Sequence, residues 1–264
     1  MRPPRLATLK VAWRNLGRNK RRTGLALMAI AVGQFALLAT DGIMHGYMDN
    51  IRNALTGPVI GHLQLHAPKW RDERAMDLSI ENADEAAKAI EAVPGVANAS
   101  ERIYGPSLVA PKREAFMGVA IGMNLAAESE AFGLLSGLDE TLAPNQVFVG
   151  RLLAQRMKVQ PGQELAVVGQ AADGSIANDL YTIKDIIEGP SDLVNQYGVT
   201  MSLDDAQRLF AMPDRAHEIV VRLQPDTNLD DTKKAIAALP ETGGLEILTW
   251  RELAPELTVM LDTS

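Results

Sequence analysis

Residues 82–94 read NADEAAKAIEAVP, and residues 228–240 read NLDDTKKAIAALP. Set side by side without gaps, they share Asn, Asp, Lys, Ala, Ile, Ala and Pro at matching positions. Asn82 is suited to cap a helix, with Glu85 three residues on. Ala86, Ala89, Ile90 and Val93 then recur at helical spacing until Pro94-Gly95 ends the run. Asp230 and Asp231 in the second copy are read as first-turn acids that favour the positive end of the helix dipole, not as a site. The flanks match as well. His62–Ala67 precedes the first helix and Val96–Ile103 follows it; Glu218–Leu223 precedes the second and Leu245–Trp250 follows it. All four flanks alternate or are β-branched, as strands are. Two β-α-β units far apart in sequence predict one split β-α-β sheet with its helices on one face.

Between the two halves, residues 104–216 read mostly as β-structure. Strands are expected at Ser107–Ala110, Ala115–Gly122, Val147–Val149, Glu164–Val168 and Leu180–Ile187, with a hairpin turn at Ala171-Ala172-Asp173-Gly174-Ser175. Short helices fit Leu152–Met157 and Leu203–Phe210, the second capped by Ser202 with Asp205 three residues later.

Ahead of this α+β region lies RNKRRTGLALMAIAVGQFALLATDGIMHGYMDN, residues 18–50. Arg18, Lys20, Arg21 and Arg22 stop abruptly, and no formal charge appears from Gly24 to Thr40, where Gln34 is the one strongly polar side chain. Extended through Tyr47, the run is long enough for a bilayer span, which takes about 17–25 residues. Asp41 then sits near the far interface or turns toward a partner helix. The first acid in the chain is Asp41, so every earlier charge is basic; this predicts a cytoplasmic N-terminus and an extracytoplasmic main domain. A cleaved signal is the competing reading, but the exit Asp41-Gly42-Ile43-Met44-His45-Gly46 suits cleavage badly. Residues 1–23 read as a basic amphipathic helix at the inner face, with Trp13 at headgroup level beside Arg14, Arg18, Lys20, Arg21 and Arg22.

Composition narrows the chemistry. The formal net charge is −7 despite the basic leader, so the outer region is acidic and nucleic acid is excluded as a partner. The chain has no Cys, which removes thiol nucleophiles and disulfides. No G-x-x-x-x-G-K-[ST] or G-x-S-x-G pattern occurs. His62 and His66 lie on a predicted strand about 13 Å apart, too far for one zinc. The sequence therefore offers no catalytic constellation, cofactor site or metal site.

Several short motifs recur in a fixed order: AWRNLGRNKRRTGLAL before the span, then GHLQLHAP, AIEAVPGVANASERI, AIGMN, QVFVGRLLAQRMKVQPGQEL, MSLDDAQRLF and ILTWRELAPEL. In this order the chain resembles permease subunits of the MacB/LolC/LolE/FtsX group of ABC transporters, over nearly its whole length. The resemblance implies one N-terminal transmembrane helix (24–48) followed by an extracytoplasmic two-lobed domain. Residues 49–103 and 217–254 would form a porter-like lobe from the two β-α-β halves, and 104–216 an inserted sabre-like β-rich lobe. Residues 255–264 would lead into a second span, so the resemblance marks the chain as an N-terminal fragment. It further implies a bacterial inner-membrane protein that is not itself an enzyme. Its partners would be a cytoplasmic ABC ATPase and a second permease copy or paralogue, in a mechanotransmission machine for lipoprotein release or export of a hydrophobic cargo. GHLQLHAP looks most like the lipoprotein-releasing branch. A periplasmic carrier protein or lipoprotein cargo would meet the outer domain, with the hairpin at Asp173, Gly174 and Ser175 as the expected docking point. The alternative is a single-pass, membrane-anchored interaction or regulatory domain.

Overall fold

The computed structural model describes residues 20–55, 60–132, 142–189 and 191–255. The chain divides into two compact units, Met1–Arg52 and Asn53–Ser264. Helix α1 (Lys20–Leu55) is continuous and runs past residue 48, where the transmembrane helix was expected to end. Its stretch Lys20–Thr40 has a mean hydropathy of 1.8, none of it buried, and is long and apolar enough to cross a membrane. Leu25, Leu27, Met28, Phe35 and Leu38 stand exposed around it. Apolar side chains exposed on a helix of this length are what a membrane-crossing helix presents. The amphipathic segment expected before residue 20 lies outside the described residues.

In chain order, the second unit holds β1 (Leu63–His66), a one-turn α2 (Trp70–Glu73), β2 (Ile80–Glu81), α3 (Ala83–Glu91), β3 (Val96–Ala110), β4 (Phe116–Met123) and α4 (Leu125–Phe132). It continues with β5 (Gln146–Gly150), α5 (Arg151–Met157), β6 (Glu164–Gln170), β7 (Ile176–Ile187), α6 (Asp192–Tyr197), β8 (Gly198–Ser202) and α7 (Leu203–Leu209). Last come β9 (Arg215–Ala216), β10 (Glu218–Leu223), α8 (Leu229–Ala237), β11 (Glu246–Thr249) and α9 (Trp250–Leu253).

The two repeat units interleave. The sheet order at one end is β11-β1-β10-β3, every neighbouring pair antiparallel. Each half therefore has a strand of the other between its own two, the split β-α-β arrangement that the repeat predicted. Leu63, Leu65, Ile219 and Val221 are fully buried with Ala83, Ala86, Ile90 and Ile236 of the two helices in one core. Asn82 departs from expectation. It adopts a left-handed conformation (φ 49°) and its side chain does not cap α3. Asp214 serves instead: its carbonyl accepts from Ala83 N (3.1 Å) and its Oδ1 from Asp84 N (3.3 Å). Asn228 does cap α8, its Oδ1 accepting from Asp230 N and Asp231 N at 3.0 and 3.1 Å.

The middle of the chain closes on itself. The two segments expected at Val96–Ile103 and Ser107–Ala110 are one strand, β3, which runs without a break through residues 103 and 104. Its first part pairs with β10, the next with β4, and Ser107–Ala110 also pair with β6. With the pairings β4–β8, β8–β5, β5–β7 and β7–β6, six strands form a closed ring. Closure leaves no open edge on this barrel, which removes a template for aggregation. Inside lie Ile103, Val109, Val147, Leu165, Val167, Tyr181, Val199 and Met201. Phe210, just past α7, packs on the barrel wall at Gly105, where an added Cβ would meet its ring at 2.0 Å. Any larger residue at 105 displaces that ring. Strand β7 starts at Ile176, four residues ahead of expectation, because the 171–175 turn lets it pair with β6 as far as Gln170. Strand β8 and helix α6 were not foreseen from sequence.

Candidate functional site

A buried charge cluster forms where β1, β3 and β10 meet α2 and α4. Alternation along β3 turns Arg102 out of the Ile103 side of the strand. There its guanidinium grips Glu128 of α4 through Nε–Oε1 (2.7 Å) and Nη2–Oε2 (2.8 Å). Both side chains are almost wholly buried. Burial alone would lower the Arg102 pKa, but the Glu128 carboxylate and the Tyr104 and Glu218 oxygens outweigh it, so the guanidinium stays charged. Removing one partner of such a pair strands a buried charge.

The same guanidinium also faces Glu218, at 3.5 Å from Nη1 to Oε1. Tyr104 Oη approaches Oε1 at 3.4 Å and His66 Nε2 approaches Oε2 at 3.4 Å. Burial opposes ionisation of Glu218, yet the His66 contact and the Arg102 charge prevail and hold its carboxyl below the usual range. One buried guanidinium thus faces two carboxylates, and the one on Glu218 is met by long contacts of 3.4–3.5 Å.

Trp70 roofs the cluster. Its indole stacks on His66 (5.2 Å between centroids, 18°) and on His217 (5.4 Å, 13°), and the Arg74 guanidinium lies 4.2 Å from its ring centre. Lys69 and Arg74 bracket this single turn in left-handed conformations, which bends the chain back over the sheet. His217 Nδ1 accepts from Tyr104 N (3.1 Å) while Nε2 donates to the Met76 carbonyl (3.2 Å). Burial drives the His217 pKa down to about 4, so the neutral ring holds the residue-76 loop to β3.

Beside the cluster opens a pocket of about 440 Å³, lined by Ile60, Pro106, Val119 and Leu193 together with Gln64, Trp70, Arg74, Tyr104 and Glu218. Its size falls in the range of small-molecule sites, about 300–1,000 Å³, and its walls are apolar with a few charges, as such sites are. Among the described residues, no group of three or more His, Asp or Glu side chains stands close enough to hold a metal ion.

The model of the MacB-like periplasmic core domain matches residues 23–239. The chain belongs to this family. It is a periplasmic core domain of ABC transporter permeases. Two solved structures share the fold. The periplasmic region of MacB from Actinobacillus actinomycetemcomitans aligns with a TM-score of 0.56 at 9% identity, over 79% of this chain and 95% of that one. The extracellular domain of the noncanonic ABC-type transporter YknZ from Gram-positive bacteria aligns with a TM-score of 0.53 at 12% identity, over 71% of this chain and 99% of that one. No curated protein sequence matches significantly.

Residues singled out from the sequence lie elsewhere. Lys20, Arg21 and Arg22 are exposed at the start of α1, and Gln34 is exposed midway along it. Trp13, Arg14, Arg18 and the side chain of Asp41 lie outside the described residues. Asp173, Gly174 and Ser175 form the β6–β7 turn: Gly174 has φ +83° and Asp173 Oδ1 accepts from Ser175 N at 2.9 Å. Ile176 beside it is 81% exposed. His62 and His66 diverge, His62 Nδ1 accepting from Leu223 N while His66 turns to Glu218. Sequence reasoning missed Arg102, Glu128 and Glu218. The available signal was charge inside strand patterns: Arg102 within Val96–Ile103, and Glu218 heading a β-branched run.

Proposed function

We propose that this chain is the membrane-anchored, extracytoplasmic part of a mechanotransmission permease, working in lipoprotein release or export of a hydrophobic cargo. The observation that carries this reading is one chain holding both a membrane-length apolar helix, Lys20–Thr40, and a MacB-like core domain over 23–239. In it, residues 49–103 and 217–254 act as a porter lobe and 104–216 as a sabre lobe. A cytoplasmic ATPase closes two permease copies against each other, and the outer domain moves in response without catalysing anything itself. The basic residues Lys20, Arg21 and Arg22 hold the N-terminus in the cytoplasm of the inner membrane. The turn Asp173-Gly174-Ser175, with exposed Ile176, is the docking point for a periplasmic carrier or cargo.

Because the chain has no Cys, single cysteines report topology cleanly. In intact cells, Asp173→Cys should react with a membrane-impermeant maleimide and Lys20→Cys should not. Expressed from its intact gene, the protein should also co-purify with a cytoplasmic ABC ATPase. The reverse labelling pattern refutes the orientation. Correct labelling with no bound ATPase favours an anchored regulatory domain instead. Deletion of 171–175 without loss of carrier or cargo binding removes the docking role.

A further inference from the structure

The pocket beside Glu218 carries charges of both signs in separate places. Glu218 lines it with a side chain 7% exposed, met at 3.4–3.5 Å by Arg102, Tyr104 and His66, while Glu128 grips the Arg102 guanidinium at 2.7 and 2.8 Å. Arg74 lines the same pocket, exposed, held over Trp70, and with no carboxylate within ion-pair distance among the described residues. Arg74 is near enough for its charge to help lower the Glu218 pKa, yet the two form no ion pair, and both line the pocket.

The apolar part of the pocket does not stop at its mouth. On β3, Ile103 and Val109 point into the barrel, so Tyr104, Pro106, Leu108 and Ala110 face outward. Pro106 pairs with Val119 in the pocket wall, and the next outward row sets Leu108 beside Met117 on one side and Val168 on the other. Leu108 is 49% and Met117 73% exposed. A stripe of apolar side chains thus leads from the pocket across the outside of the barrel, where water gains nothing from it.

We propose that this pocket binds a zwitterionic amphiphile of the phosphoethanolamine type. Its ammonium meets Glu218, its phosphate meets the Arg74 guanidinium, and its tail runs past Pro106, Val119 and Leu193 onto the Leu108–Met117 stripe. A lone cation or anion satisfies one charge and is repelled by the other; a head bearing both satisfies the pair. Arginine suits the phosphate because its planar fork binds such oxygens bidentately. The site stands on this geometry alone and is tested separately from the transport reading.

The test is calorimetric titration of the full chain in phosphatidylcholine nanodiscs, with empty nanodiscs subtracted. The probes are a submicellar short-chain lysophosphatidylethanolamine, its phosphatidylglycerol counterpart, an alkyl amine, and glycerophosphoethanolamine without a tail. Saturable binding of the first probe, about tenfold tighter than the other three, supports the proposal. So does an Arg74→Gln variant that loses about tenfold for the first probe and nothing for the amine. Leu193→Glu, at an exposed position, should weaken every tailed probe without unfolding the chain. Phosphatidylethanolamine placed in the nanodisc that competes with the soluble probe assigns the bilayer as the source; no competition assigns a free amphiphile. Absence of a saturable component above empty nanodiscs overturns the proposal. Equal affinity for the tailless head, or an Arg74→Gln variant that binds the first probe unchanged, does the same.

Discussion

The two repeat halves share seven of thirteen letters and arrive at different local solutions. Helix α8 caps itself through Asn228, whereas α3 begins from a left-handed Asn82 and borrows its cap from Asp214, far along the chain. Helix α3 buries Ala83, Ala86, Ala87 and Ile90; α8 buries only Thr232 and Ile236. The exit strands diverge further. Strand β11 stops after Thr249, where Glu252 completes a capping box for α9, while β3 continues into the barrel and carries Arg102. A repeated motif sets the secondary structure and the sheet it joins. What each copy buries is set by what the other 100-odd intervening residues pack against it.

The sharpest way to break the comparison is at the exit strands. Arg102→Ala leaves Glu128 buried and unpaired, and should cost about 3–5 kcal/mol in denaturant unfolding of the full chain. Thr249→Ala, at the end of the other exit strand, removes one cap and should cost only about 1 kcal/mol. A loss at Arg102 no greater than at Thr249 would show that the cluster is not what ties β3 to α4.

Next come the helix cores. Ile90→Ala and Ile236→Ala both open cavities, within the usual range of about 2–5 kcal/mol. The Ile90 change should fall toward the top of that range and the Ile236 change toward the bottom, because the more exposed α8 can settle into the space. Thermal melts of the pair read the difference directly; equal shifts would mean the two helices are packed alike.

The caps give a smaller effect of opposite character. Asn228→Gly should lose a few tenths of a kcal/mol, since it deletes the side-chain acceptor. Asn82→Gly should be neutral or stabilising, because glycine adopts φ 49° freely and no cap is lost. Asp214→Ala should cost about 1 kcal/mol, transferring to a distant position the penalty expected of an N-cap. A destabilising Asn82→Gly would contradict the borrowed cap.

The last effect concerns pH. Glu101, on β3 near the start of α3, has its pKa pushed up to about 7 by burial and by the charges of Asp84 and Asp214. Its folded pKa exceeds its unfolded value of 4.5, so the folded state binds more protons between the two values and stability falls as pH rises from about 4.5 to 7. His217 acts in the opposite sense: with its pKa lowered to about 4, stability falls as pH drops from 6.5 toward 4. Glu101→Gln should flatten the loss above pH 5 while leaving the acid limb in place. A titration curve unchanged by Glu101→Gln would show that Glu101 does not couple to folding.

Much of the fold was legible in the sequence. The repeat at 82–94 and 228–240 gave both helices and their four flanking strands, the 171–175 turn emerged where glycine and aspartate marked it, and Ser202 capped its helix as read. These are local signals, carried by periodicity and by side chains that bond within four residues of themselves. The site was legible only in fragments. Arg102, Glu128, Glu218 and Trp70 are scattered across some 150 residues, and in the sequence each looks like an isolated charge or aromatic on an ordinary element.

By itself, then, the sequence determined an apolar helix of membrane length behind a basic leader, an interleaved α+β sheet, and the absence of thiol chemistry. Hydrophobic period and charge order are enough for these, because they act along the chain. The tertiary structure alone decided that β3 runs from the split β-α-β strands into the barrel, that the middle strands close into that barrel, and that Asp214 caps α3. It alone decided that one buried guanidinium faces two carboxylates beside an open pocket. Each depends on which distant strands pair and in what register, and register is fixed by the collective burial of residues that no local window contains.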